Sequence, residues 1–167
     1  TVEYVHPLHN LAVVRYDPRQ LGATPVRAVK FAGRQPATGE TVHVVGLHPD
    51  NRVVSQQATV ASIGPVAFPL SRTLQFRDAN LEIMRLVNGP DDYDGLIVDR
   101  RGEVLALWSS FAYEDGRDLV QQNLGVPAGI VQEMLEYARD GRPLYSAEAE
   151  FGLLSLAEAR RLGLGEE

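Results

Sequence analysis

Short runs of apolar and β-branched residues, each closed by a turn dipeptide, fill the first two thirds of the chain. Leu11-Ala12-Val13-Val14-Arg15-Tyr16 is mostly apolar until Asp17-Pro18, and Val26-Arg27-Ala28-Val29-Lys30-Phe31 alternates apolar with basic residues until Gly33. A period of two puts successive side chains on opposite faces of a strand. Gly39-Glu40 opens a third run, Thr41 to Leu47; His48-Pro49-Asp50-Asn51 then turns the chain into Val53 to Ile63, which Gly64-Pro65 stops. Further strands are predicted over Thr73 to Phe76, Leu81 to Val87, Gly95 to Val98 and Glu103 to Trp108, with Asp99-Arg100-Arg101-Gly102 as the hairpin turn between the last two. Turns at this spacing belong to a barrel or sandwich, and residues 26 to 112 are expected to form an antiparallel barrel of about six short strands.

The period changes near residue 126. Pro127 suits the first turn of a helix, where its missing N–H would be unpaired anyway. Ile130, Val131, Met134, Leu135 and Ala138 then share one face until Asp140-Gly141-Arg142-Pro143 ends the helix, so Pro127 to Arg139 is predicted to pack outside the barrel through Ile130, Val131, Met134 and Leu135. A second, shorter helix starts at Ser155, with Glu158 completing a capping box, and stops at Gly163. Arg142 to Gly152 reads as a linker with one short extended segment.

Composition narrows the chemistry. The chain has 167 residues, 44% hydrophobic and 23% charged, which suits one globular core. A chain of this length buries roughly 70% of its unfolded surface and needs no disulfide or metal to fold. The absence of Cys excludes thiolate zinc sites and a cysteine nucleophile, and it leaves a reducing cytoplasm and an oxidising periplasm equally open. With 16 Lys and Arg against 22 Asp and Glu, the net charge of −6 disfavours nucleic acid as a partner. No apolar run approaches the roughly 18 residues of a membrane span. Thr1-Val2-Glu3-Tyr4-Val5 has neither an initiating Met nor a basic leader region, so the chain is expected to be a segment of something longer.

Side-chain clusters point to no cofactor and no metal. His6 and His9 stand three apart and His43 and His48 five apart, with only Asp50 as a nearby carboxylate, so surface or turn histidines are expected. The loop Asp91-Asp92-Tyr93-Asp94-Gly95 has the oxygen density that calcium favours, but it lacks the alternation and closing Glu of an EF-hand loop. There is no Gly-x-Ser-x-Gly elbow, and Ser109-Ser110 is two hydroxyls at the end of a strand.

Three segments, in order, carry a resemblance. They are His9-Asn10-Leu11-Ala12-Val13-Val14-Arg15-Tyr16-Asp17; Gly39 to Pro49 followed by Val54 to Ile63; and Leu81-Glu82-Ile83 through Val87-Asn88-Gly89-Pro90-Asp91-Asp92-Tyr93-Asp94-Gly95-Leu96-Ile97-Val98 to Arg101-Gly102-Glu103-Val104-Leu105-Ala106-Leu107. Together they resemble the HtrA (Deg) family of trypsin-like serine proteases over about residues 9 to 140, from the last strand of the first barrel through the second. The implied fold is mainly β, a trypsin-like antiparallel barrel with a C-terminal helix. The implied division is 1–25, end of the first barrel and linker; 26–125, barrel; 126–142, helix; and 143–167, linker and start of a PDZ-like module.

The resemblance also implies that the catalytic positions are degenerate. Asn10 stands where the family has the Asp that orients its catalytic His, and an amide there favours the wrong imidazole tautomer. Tyr93, or Asp92 if the loop is aligned one residue differently, stands where the family has its nucleophilic Ser. Asp91 and Asp94 replace the glycines that let two N–H groups face the oxyanion, and carboxylates there repel the charge that the hole must stabilise. The family's His would lie upstream of Thr1.

The expected function is that of an HtrA-like endopeptidase segment in protein quality control, itself inactive and serving as a pseudoprotease or peptide-interaction module. The alternative is an active serine hydrolase with a non-standard nucleophile. The resemblance implies extended peptides or protein segments as partners, bound along Val104, Leu105, Ala106, Leu107, Trp108 and Ser109. It further implies an upstream protease half, a downstream PDZ domain and homo-oligomers.

Overall fold

The computed structural model describes residues 1–6, 9, 11–66, 81–115, 117–145 and 154–165. The chain opens with a two-stranded antiparallel sheet, β1 (Val2–Val5) and β2 (Ala12–Val14), followed by a 3-10 turn at Pro18–Leu21. The remaining strands are β3 (Thr41–Leu47), β4 (Val53–Val66), β5 (Leu81–Val87), β6 (Gly95–Val98), β7 (Val104–Asp115) and β8 (Asp118–Pro127). They close into a barrel in the order β3-β4-β5-β8-β7-β6. Helices α1 (Ala128–Asp140) and α2 (Leu156–Arg161) follow.

The period-two pattern explains the barrel interior. On β3, Val42 and Val44 are fully buried while Thr41 and His43 stand between core and surface. With Ala58, Val60, Met84, Ile97, Leu105, Ala106 and Trp108 they form one core cluster. Each large apolar side chain buried in this way contributes about 1.5–3 kcal/mol relative to exposure.

Several expectations change. Val26 to Phe31 is not a strand. The barrel closes without it, Val26 and Val29 are about half exposed, and the segment meets the barrel at a single parallel bridge, Phe31 to Val104. There the Val104 N–H donates to the Lys30 carbonyl and the Ala32 N–H to the Val104 carbonyl, both at 2.8 Å. Gly64-Pro65 does not stop β4 either. β3 pairs only with Val53 to Thr59, so the far end of β4 meets β5 alone, and an edge position tolerates a residue without an N–H. β7 continues past Trp108 to Asp115, and β8 is a strand that propensity did not show. Gln121, Gln122, Asn123 and Gly125 are poor strand formers alone, but pairing with β7 from Asp115↔Asp118 to Ala106↔Pro127 imposes the conformation. The predicted strand Thr73 to Phe76 lies outside the described residues.

Helix α1 matches its predicted range to within one residue, with Pro127 as its N-cap and Gly141 closing it at φ +63°. Its contact stripe is Ala128, Val131 and Met134; Leu135 is exposed, contrary to expectation, because the stripe advances by three residues and leaves Leu135 on its flank. At α2 the Ser155 hydroxyl accepts the Glu158 N–H at 3.3 Å and donates to the Glu158 carboxylate at 2.9 Å, the predicted cap.

One close approach locks the barrel wall beside the site. Gly46 on β3 pairs with Gly95 on β6, and a Cβ on Gly95 would lie 2.2 Å from the Val45 carbonyl oxygen and 2.8 Å from the Gly46 Cα. Backbone cannot retreat as a side chain can. Gly95→Ala should therefore destabilise the chain by about 3 kcal/mol, the upper end of overpacking costs; the check is the shift in urea midpoint at unchanged m-value.

Candidate functional site

The loop between β5 and β6 is fastened from inside the barrel. Tyr93 is buried, its hydroxyl donates to the Val44 carbonyl at 3.3 Å, and its ring occupies the space that a side chain at Gly46 would need. Burial, reinforced by Asp92, pushes the phenol up from its ordinary value. Trp108 is also buried and donates from Nε1 to the Pro90 carbonyl at 3.0 Å, while its ring lies against Gly89. From β8, Asn123 donates to the Tyr93 carbonyl at 3.4 Å.

With Tyr93 and Trp108 pulled in, Asp91, Asp92 and Asp94 are all exposed. His48, in the β3–β4 turn, bridges two carboxylates: Nδ1 is 3.0 Å from Asp50 and Nε2 is 3.4 Å from Asp92. Arg52 bonds Asp50 at 2.6 and 2.7 Å and holds its carboxyl down to about 2. This end of the barrel thus presents Asp50, Asp91, Asp92 and Asp94 together. Among the described residues no three His, Asp or Glu side chains are grouped to hold a metal ion.

A cleft of about 320 Å³ opens next to the loop, between the N-terminal segment (His9, Leu11) and the barrel (Asp94, Leu107, Ser109, Ser110 among others). β6 reaches only as far as Trp108 along β7, so the cleft begins where that pairing ends. Of the six residues expected along the peptide, Leu107, Trp108 and Ser109 line it. Val104, Leu105 and Ala106 do not: they are buried, and the backbone from Ala106 to Trp108 is paired with β6 on one side and β8 on the other. Asn10 lies outside the described residues.

Sequence reasoning missed His9. Its ring meets buried His6 edge-on, with centroids 4.5 Å apart, and its N–H donates to His6 Nδ1 at 3.2 Å. Burial first, and His6 second, lower the His9 pKa to about 4. Burial likewise lowers His6, against the pull of Glu133 on α1. Nothing in a three-residue histidine spacing distinguishes such a pair from two surface rings.

No family model matches the chain. A PDZ domain-containing protein of Schizosaccharomyces pombe is 31% identical over 173 residues, covering 99% of this chain. The pro-apoptotic serine protease NMA111 of Saccharomyces cerevisiae is 30% identical over 173 residues, covering all of it. In each case the chain spans 17% of the relative's length. Among solved structures, the HtrA-type protease AlgW with tripeptide superposes with a TM-score of 0.59 at 18% identity, over 96% of this chain and 50% of that one. The Rv3671c protease of Mycobacterium tuberculosis, inactive form, gives 0.57 at 19% identity, over 83% of this chain and 66% of that one.

Over its whole length the chain is similar to serine proteases of the NMA111 type, and its barrel has the fold of HtrA-type proteases.

The His6–His9 contact has a pH signature. Both folded-state values lie below the ordinary 6.5, so the folded state binds fewer protons than the unfolded state at mildly acidic pH. Stability is fully present above 6.5 and falls as pH drops from there toward about 4. Hydrogen exchange of the β1 and β2 amides, corrected for intrinsic rate, should show protection at pH 7 that is reduced at pH 5. His9→Leu should flatten that slope.

Proposed function

We propose that this segment binds extended peptide and does not cleave it. The observation that carries the reading is the direction of Tyr93. Tyr93, which with Asp92 as the alternative is expected at the family's nucleophile position, points into the core and bonds the Val44 carbonyl. A buried phenol whose proton is harder to remove than usual is no replacement for an activated serine. Asp91 and Asp94, exposed on either side of it, place negative charge where the family's chemistry develops more. Cleavage in the intact protein is then the work of an upstream protease half, with 143–167 leading toward a PDZ-like module.

The cleft supplies what a peptide-binding site needs: the stretch of β7 beyond its pairing with β6, at Ser109 and Ser110, an apolar wall from Leu11, Leu107 and Trp108, and a carboxylate at Asp94. The competing reading, an active hydrolase, requires some other nucleophile. The purified chain should take no label from a fluorophosphonate probe, and stoichiometric labelling at any residue would establish the hydrolase instead. Tyr93→Ser should remain unlabelled and lose about 3–5 kcal/mol, as large aromatic truncations in cores do.

The acidic rim sets a preference. Exposed carboxylates favour basic or neutral peptides over acidic ones, and the preference weakens with salt because screening acts over about 8 Å at physiological ionic strength. On a peptide array, Asp91→Asn, Asp92→Asn and Asp94→Asn together should abolish the discrimination. Equal binding of acidic and basic peptides by both proteins would remove support for the groove.

A further inference from the structure

At the opposite end of β6 from the acidic loop, the strand is followed by two exposed arginines, Arg100 and Arg101. The β6–β7 turn, Asp99 to Gly102, overhangs a cavity of about 670 Å³ whose lining includes Arg34, Glu40, Asp99, Arg100 and Arg101. The carboxylates there are already engaged. Glu40 accepts two bonds from Arg34, at 2.7 and 3.0 Å, and one from the Ala37 N–H. Asp99 is buried, accepts the N–H groups of Arg101 and Glu103 at 2.8 and 3.0 Å, and faces Arg34 at 3.7 Å. Glu103 pairs with Lys30.

Arg100 and Arg101 are different: both are exposed, and among the described residues neither guanidinium has an ion-pair or hydrogen-bond partner. Their backbone is fixed all the same. The Asp99 carboxylate bonds and the Gly102 N–H to Asp99 carbonyl bond, at 3.0 Å, close a tight turn in which Gly102 takes φ +76°. Two cationic forks are therefore held at the mouth of a cavity, on a chain whose net charge is −6.

We propose that this basin is a second binding site, separate from the cleft, in which Arg100 and Arg101 take the side-chain carboxylates of an acidic peptide segment. A guanidinium binds a carboxylate through two parallel N–H bonds, and side chains already held on a fixed turn lose less freedom on doing so. Carboxylates suit the basin better than phosphate, because Glu40, Asp99 and Glu103 line it and oppose two charges concentrated on one group more than single charges on two separate groups. Nucleic acid requires a continuous basic stripe, and this chain has an acidic balance.

The test uses the 167-residue chain, a fluorescent peptide with two adjacent Glu in a neutral sequence, its Gln counterpart, and inorganic pyrophosphate. Anisotropy should show the Glu peptide binding at low salt, with affinity reduced about 10-fold or more in both the Gln peptide and the Arg100→Gln, Arg101→Gln double variant, as expected for loss of a charge-assisted pair. Amide shifts in NMR spectra should map to residues 99–103 and leave 91–94 unmoved. In the Asp91→Asn, Asp92→Asn, Asp94→Asn variant the Glu peptide should still shift the amides of residues 99–103 as in wild type, and any binding gained at the cleft would appear separately, at residues 107–110. Undiminished binding by the arginine double variant, shifts centred elsewhere, or absence of binding would overturn the site. Pyrophosphate binding the same amides more tightly than the Glu peptide would overturn its assignment to carboxylate.

Discussion

The cleft exists because two neighbouring strands of a closed barrel differ in length. β6 has 4 residues and β7 has 12, so their pairing ends at Gly95↔Trp108 and β7 runs on with β8. Ser109 and Ser110 emerge at that point, and Trp108 sits at the boundary with its ring inside and its N–H on the loop. A longer β6 would bury the cleft; a shorter one would release the loop.

The loop itself is shaped by where its one aromatic residue goes. A trypsin-like nucleophile loop needs small residues so that its backbone amides face the substrate. Here Tyr93 turns inward, and its ring can do so because Gly46 has no side chain. The same inward turn leaves Asp91, Asp92 and Asp94 no place but solvent, where their hydration is preserved. The core and the negative rim are thus two results of one backbone conformation.

Much of this was legible from residues alone. The alternation in Thr41 to Leu47, the Asp99-Gly102 turn, the Pro127 start and the Ser155 cap each express a local preference that the fold keeps. What was not legible depends on partners distant in sequence. β8 is a strand because β7 is beside it, and Val26 to Phe31 is not one because the barrel closes without it. The direction of Tyr93 rests on a glycine 47 positions away that pairs with Gly95 across the wall. His9 reads as a turn residue until the fold sets its ring edge-on against His6.

Charge is distributed along β6 in a way that local patterning also hides. Asp91, Asp92 and Asp94 precede this strand and Arg100 and Arg101 follow it, so a strand of 4 residues separates exposed carboxylates from exposed guanidinium groups by about 13 Å at ordinary strand rise. That exceeds the physiological screening length of about 8 Å, so the two ends act on ligands separately and neither neutralises the other. A net charge of −6 describes neither end. A ligand meets whichever end it approaches, so the exposed carboxylates before β6 and the exposed arginines after it bear on different ligands.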